Sequence, residues 1–250
     1  MLTTKRQQII LSILKKQLNA TIHELSEATN ASISTIRRDL EQLEKEEKLK
    51  RVHGGASYIQ TKLYEPKLED KQGLNEVAKE QIAIEAGSLV EEGDCLFIDA
   101  GTTTRHILPH LVGKNNVVVT NAYHFVDFLL RQGIETYITG GRAKSKTGAL
   151  IGVQAEDSLM SFRFDKCFVG INGIHPVHGF TTPDPEEARI KRMAIELSRE
   201  AYVVADETKF QEVSFSKVAD LKKASIITDL NETTLISALA KLTEVRVVNK

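Results

Sequence analysis

Residues 31–56, ASISTIRRDLEQLEKEEKLKRVHGGA, restrict the fold of this chain more than any other stretch. Ile33, Ile36, Leu40 and Leu43 recur at helical spacing, so a helix beginning after Ser32 must bury one face. At about 100° per residue, Ser34, Arg38 and Gln42 fall on the opposite face, with Thr35 beside them and Arg37 on the flank. Two arginines and short hydroxyl donors in the first turns are what a helix needs to reach base edges and phosphates in a major groove. The residues that follow, Leu49, Lys50, Arg51, Val52 and His53, predict a strand; Gly54 and Gly55 supply a turn that tolerates positive φ, and residues 56–59 return. A helix followed by a basic hairpin makes a winged helix-turn-helix.

Taken alone, the arginine pair suits an ordinary surface better, with Arg37 facing Glu41 and Arg38 facing Gln42. The preceding residues favour a DNA-reading head. Thr21 and Glu24 form a T-x-x-E capping box that opens a short helix with Ile22, Leu25 and Ala28 inward, and residues 29–32 make the turn. Residues 3–17 add a further helix with Ile9, Ile10, Ile13 and Leu14 on one side. Charge agrees: the 250 residues sum to −1, but residues 1–60 carry ten Lys/Arg against seven Asp/Glu while the remainder carries 23 against 27. Only the N-terminal part is electrostatically suited to a polyanion.

Residues 58–73 are mixed and charged, contain Pro66 and lack periodicity, which predicts a hinge. The organisation expected is a winged helix-turn-helix DNA-binding domain over 3–58, a linker over 59–75 and an effector-binding sensor domain over 76–250. An amphipathic helix over 76–91, ended by Gly93, opens the larger part. Short Val/Ile runs then alternate with helical segments: 95–100, 117–121, 135–139, 166–171, 202–205, 225–228 and 245–248, with a long helix over 185–200. Such alternation predicts an α/β domain whose mostly parallel sheet is covered on both faces. Cys95 and Cys167 stand apart with no C-x-x-C, the pattern of buried free thiols in a reducing compartment and of no metal site. No apolar run approaches spanning length, so a cytoplasmic protein without a membrane partner is expected.

Open α/β sheets bind ligands beyond the carboxyl ends of their strands. The first such end reads Asp99, Ala100, Gly101, Thr102, Thr103, Thr104: a close turn followed by hydroxyls and free amides at a helix start, which suits a phosphate and equally suits simple capping. The Gly-Lys-Ser/Thr ending of a nucleotide-hydrolysing loop is absent. Other strand ends supply Thr120 and Asn121, Gly140 and Gly141, Asn172, and Asp206 with Lys209. Asn121 and Asn172 can bond sugar hydroxyls, Lys209 can neutralise a phosphate and Asp206 can orient it. Glu187 and Lys191, four apart on the long helix, read as a surface ion pair, and Arg142, Lys144 and Lys146 as a solvated loop.

These residues resemble a known family. TIRRDLEQLE followed by KRVHGGA is similar to the signature of DeoR-type bacterial repressors, and DAGTTT, VVTN, TGG, GING, PEEARIKRM and ADETKF extend the resemblance over essentially the whole chain. It implies a winged helix joined to a sensor domain similar to ribose-5-phosphate isomerase and glucosamine-6-phosphate deaminase, with operator DNA released or altered when a phosphorylated sugar is bound. By that resemblance, residues 101–104 and Lys209 hold phosphate, and Asp99, Asn121, Asn172, Glu187 and Lys191 face the sugar. VGINGIHPVHGFTTPDPEEA is most similar to the fructose operon repressors of Gram-positive bacteria, whose inducer is fructose 1-phosphate.

The competing expectation is a sugar-phosphate isomerase or deaminase carrying a DNA-binding head. Enolisation needs a carboxylate to move a proton, whereas this chain has Asn172 in the GING segment and no Lys-Gly-Gly-Gly. Amides bind hydroxyls without shuttling protons, so binding without turnover, no catalytic residue and no cofactor are expected. One head buries little surface, which predicts a homodimer or homotetramer on double-stranded DNA.

Overall fold

The computed structural model describes residues 3–17, 19–46, 48–52, 54–58 and 62–248. The chain divides into two compact units, Met1–Thr61 and Lys62–Lys250.

The smaller unit runs α1 (Thr3–Gln17), β1 (Asn19–Thr21), α2 (Ile22–Thr29), α3 (Ile33–Lys45), β2 (Leu49–Val52) and β3 (Gly55–Tyr58). Ile10 and Leu14 of α1, Leu25 of α2, and Ile36, Leu40 and Leu43 of α3 make one apolar core with Leu49 and Ala56 of the hairpin. The capping box is present: Thr21 Oγ1 accepts from Glu24 N at 3.2 Å, and the Thr21 amide donates to Glu24 Oε2 at 2.7 Å. Asn30 ends α2 in the left-handed region at φ 49°. Ala28 is exposed, however, and Thr29 takes the inward place, its hydroxyl donating to the Leu25 carbonyl at 2.6 Å. Arg6 of α1 meets the buried Asp39 of α3 through two nitrogens, Nη2 to Oδ1 at 3.1 Å and a closer Nε contact, which ties the two helices together.

The wing has a third strand that hydrophobic periodicity could not reveal in three residues: β1 pairs with β3, giving the order β1-β3-β2. This explains the Gly-Gly. Gly54 turns the chain at φ 77°, whereas Gly55 has no such backbone; a Cβ there would stand 2.2 Å from the Ala20 carbonyl of β1.

The larger unit contains α4 (Leu68–Lys71), α5 (Glu76–Ser88), β4 (Cys95–Ile98), α6 (Thr102–Arg105), β5 (Val117–Thr120), α7 (Val126–Arg131), β6 (Glu135–Ile138), β7 (Arg142–Ala143) and β8 (Leu150–Ile151). It continues through α8 (Val153–Met160), β9 (Phe164–Gly170), β10 (Gly173–His175), β11 (Gly179–Thr182), α9 (Pro185–Glu196), β12 (Ser198–Val204), β13 (Ser216–Ala219), β14 (Ser225–Thr228), α10 (Thr233–Leu239) and β15 (Val245–Val247). Seven parallel strands form the sheet, in the order β15-β14-β12-β9-β4-β5-β6. Alternate residues serve opposite faces. Phe97, Val169, Val203 and Ile226 pack with Ile190 and Ala194 of α9; Leu96, Ile98, Phe168 and Val204 pack with Ile82 and Ala86 of α5.

Two smaller sheets accompany it: the β7-β8 hairpin and the antiparallel β10-β11-β13 sheet, whose strands of two to four residues are too short to carry a period. The stretch 59–75, expected as a linker, is divided by the unit boundary. Residues 62–75 belong to the larger unit, where Glu65 is buried against Lys144 and the Leu68 amide donates to the Lys146 carbonyl at 2.7 Å. Among the described residues no helix is long and apolar enough to cross a membrane.

Candidate functional site

Two faces concentrate unspent polar chemistry, one in each unit. On α3, Ser32 caps the helix, its Oγ accepting from Thr35 N at 3.3 Å and lying 3.0 Å from Ser34 Oγ and 2.9 Å from Thr35 Oγ1. Ser34, Arg37 and Arg38 are exposed and Thr35 is half-buried. The alternative surface pairing does not occur, because the would-be partners are engaged elsewhere: Glu41 with Lys45 at 3.1 Å and Gln42 with Glu46 at 2.7 Å. Among the described residues neither Arg37 nor Arg38 has an ion-pair partner. Arg51 is less free, since its amide donates to Glu44 at 2.8 Å and its guanidinium lies 4.0 Å from the same carboxylate. His53 lies outside the described residues.

In the larger unit the polar groups gather at the carboxyl edge of the sheet. β4 pairs with β5 on one side and with β9, which follows much later in sequence, on the other, so the direction of winding reverses beside β4. Such a reversal leaves a crevice above the strand ends. Asp99, at the end of β4, is buried; its Oδ2 accepts from the Gly170 amide at 3.0 Å and from the Lys191 ammonium in a very close contact, while Oδ1 is buried without a partner. Burial pushes the Asp99 carboxyl up despite Lys191. Lys191, which burial alone would lower, is held above the usual lysine range by Asp99 and Glu187. Glu187 stands 3.9 Å from Lys191, so the four-residue spacing does pair them, but buried and with Asp99 the nearer partner.

Several predicted side chains hold the edge together instead of projecting from it. Thr104 Oγ1 donates to the Asp99 carbonyl at 2.6 Å, Thr120 Oγ1 to the Ile98 carbonyl at 2.6 Å, and Asn121 Oδ1 accepts from the Ala100 amide at 2.9 Å. Asn172 Oδ1 accepts from Thr182 Oγ1 at 2.9 Å. No side chain caps the start of α6, where Gly101 is extended at φ −165° and Thr102 and Thr103 follow. Asp206 caps the turn after β12 through Thr208 and lies 3.8 Å from Lys209. Gly140 and Gly141 adopt φ 70° and 100°, and a Cβ on Gly141 would lie 2.6 Å from the Ile151 carbonyl, so these two residues shape the connection from β6 into β7 and its close approach to β8; no hydrogen bond joins them to the Asp99 cluster among the described residues.

A DeoR-like helix-turn-helix domain matches residues 6–62, and a DeoR C-terminal sensor domain matches residues 74–230. The chain is 46% identical over 249 residues, 99% of both chains, to the uncharacterized HTH-type transcriptional regulator FruR of Bacillus subtilis (strain 168). The chain belongs to the DeoR family. Other relatives include a putative aga operon transcriptional repressor of Escherichia coli O157:H7, 34% identical over 90% of this chain and 85% of its own. The glycerol-3-phosphate regulon repressor of Escherichia coli (strain K12) is 32% identical over 83% and 82%. Among solved structures, ribose 5-phosphate isomerase A from Methanocaldococcus jannaschii aligns over 54% of this chain and 55% of its own, at 15% identity and a TM-score of 0.41.

Sequence reasoning missed part of this DeoR sensor unit. Lys144, expected in a solvated loop, is mostly buried and meets Glu65 at 2.6 Å, Asp184 at 2.6 Å and Glu187 at 3.1 Å. Burial would lower its pKa, but Glu187, Asp184 and Glu65 raise it to about 12. Thr147 donates to Glu187 at 2.7 Å. Burial would raise Glu187, but Lys191 and Lys144 hold it below the usual carboxylate range. The missed signal was charge inside a stretch that otherwise looked like a hinge: Glu65 answers Lys144 across 79 residues of sequence, a separation no periodicity spans. Among the described residues no group of His, Cys, Asp and Glu is arranged to hold a metal.

Proposed function

We propose that this DeoR-family regulator is a sequence-specific repressor of a sugar-utilisation operon, with fructose the first sugar to test. Ser34, Thr35, Arg37 and Arg38 of α3 read the major groove, and Arg51 and His53 of the wing contact the backbone. A phosphorylated sugar, fructose 1-phosphate foremost, binds at the carboxyl edge and weakens operator binding. The observation that carries the sensor half is the buried, unpartnered Oδ1 of Asp99 beside the uncapped Thr102 and Thr103: an acceptor for a sugar hydroxyl next to donors for a phosphate. Asn121, Asn172, Glu187 and Lys191 frame the sugar, Lys209 with Asp206 serves the phosphate, and Thr104, Thr120, Gly140 and Gly141 hold the loops in place. The aga operon and glycerol-3-phosphate regulon repressors among the relatives support a small metabolite as the signal.

Binding proceeds without turnover, because Asp99 and Glu187 are occupied by lysines and the group after β9 is an amide. Two or four copies act together, since paired heads on adjacent half-sites supply the affinity one head lacks. Selecting duplexes from a random library with the full chain, then adding fructose 1-phosphate, fructose 6-phosphate, ribose 5-phosphate or glycerol 3-phosphate, tests the whole reading. Release by one of them is expected. An operator complex indifferent to all four would overturn the sensor assignment, and steady isomer formation in the same mixtures would overturn the absence of turnover.

A further inference from the structure

Residues 65–75 cross the carboxyl edge of the larger unit as a strap fastened at both ends. At one end Glu65 meets Lys144 at 2.6 Å and the Leu68 amide donates to the Lys146 carbonyl at 2.7 Å; at the other, Asn75 Nδ2 donates to Asp206 Oδ1 at 3.2 Å. Between them, buried Lys79 of α5 donates to the Lys71 carbonyl at 2.6 Å and fixes the backbone there. The Lys71 backbone is therefore held between the Glu65 and Asn75 attachments.

Four other lysines around this edge each have a carboxylate. Lys191 has Asp99, Lys144 has Glu65, Asp184 and Glu187, Lys79 has Glu76 at 3.3 Å, and Lys209 has Asp206 at 3.8 Å. The Lys71 ammonium has neither a hydrogen bond nor an ion pair among the described residues. It is faced by Lys209 from the turn after β12, by Lys191 and Glu187 from α9, and by Glu65 from the strap itself. A half-buried ammonium bonded to no carboxylate is costly, and an incoming anion reduces that cost.

We propose that Lys71 contacts the effector directly, gripping its phosphate jointly with Lys209, so that the strap 65–75 fastens onto an occupied site. This rests on the reading of the carboxyl edge as a sugar-phosphate site and adds a residue and an element to it. The strap opens the larger unit along the chain, so a ligand held by Lys71 acts on the segment joined covalently to the DNA-contacting unit. Burial, with repulsion from Lys209, holds the Lys71 pKa down to about 8, against the pull of Glu187. A phosphate dianion should draw a proton onto Lys71 when it binds in alkaline solution.

Titration calorimetry of the full chain with fructose 1-phosphate, fructose 6-phosphate, ribose 5-phosphate and unphosphorylated fructose decides the matter. With a sugar phosphate that binds the wild type, Lys71→Met should weaken affinity roughly tenfold or more, while Lys71→Arg stays within about threefold. Wild-type affinity should fall between about pH 7 and about pH 9, where the phosphate itself stays largely dianionic, and Lys71→Met should flatten that fall. Equal affinity of wild type and Lys71→Met overturns the inference and leaves the site reading standing. No binding of any of the phosphates removes both. If Lys71→Met does not fold, a wild-type affinity that is constant over the same pH range overturns the inference.

Discussion

Arg38 and Asp99 show how far a single residue could be read from sequence. The helical phase put Arg38 opposite the apolar stripe, and the structure leaves it exposed and without an ion pair among the described residues, because Gln42, its candidate partner one turn on, bonds Glu46 instead. Arg38→Ala should weaken operator binding by about 1–3 kcal/mol and broaden base preference at one position, as measured by anisotropy against a set of single-base operator variants. Unchanged preference would take Arg38 off the reading face. Asp99 was legible only as a polar strand end. Its partner Lys191 lies 92 residues away, and that pairing depends on α9 crossing the sheet, which no local spacing encodes. Asp99→Asn keeps the size of the side chain but leaves Lys191 without its nearest counter-charge, at an expected cost of about 3–5 kcal/mol in urea unfolding of the full chain. A cost below about 1 kcal/mol would mean that Glu187 alone satisfies the lysine.

Among elements, the three helices of the smaller unit and the strands of the parallel sheet were visible because each carries an apolar period or a continuous apolar run. β1, the β7-β8 hairpin and the β10-β11-β13 sheet were not, since their two to four residues lack the continuous apolar run that marks equally short strands such as β4 and β5, and their stability comes from pairing with distant partners. The wing offers a direct test of this tertiary control. Gly55→Ala places a methyl 2.2 Å from the Ala20 carbonyl, so β1 must part from β3, an expected loss of about 1–3 kcal/mol with faster hydrogen exchange at Ala20 and Ala56. Gly54→Ala meets no neighbour and pays only for its positive φ, about 1 kcal/mol. Thermal unfolding that ranks Gly54→Ala as the more damaging would contradict the role given to β1.

For the whole molecule, the sequence separated a basic head from a slightly acidic body but placed residues 62–75 between them as a linker, although they are part of the body. The reason is electrostatic: Glu65 and Asn75 are polar residues that find buried polar partners, and polarity in sequence looks the same whether it faces water or a counter-charge. That buried charge sets the acid limit of the larger unit. Glu187, Asp184 and Asp206 all lie below their ordinary values of 4.5, 3.8 and 3.8, because neighbouring lysines, or hydrogen bonds with them, outweigh burial. Carboxyls depressed by folding contribute stability that is complete above their unfolded values and is lost as pH falls through the folded ones. Chemical denaturation midpoints should therefore hold between about pH 7 and about pH 5 and fall steeply below about pH 4. A midpoint that stays level through that lower range would mean the lysine network adds nothing to stability.

The central place of β4 also orders events in time. Its partner β9 and the helix that delivers Lys191 come from the second half of the chain, so a polypeptide leaving the ribosome has a finished head long before Asp99 finds its mate. Each newborn copy thus passes through an interval in which its helix-turn-helix unit is whole and its sensor unit is not.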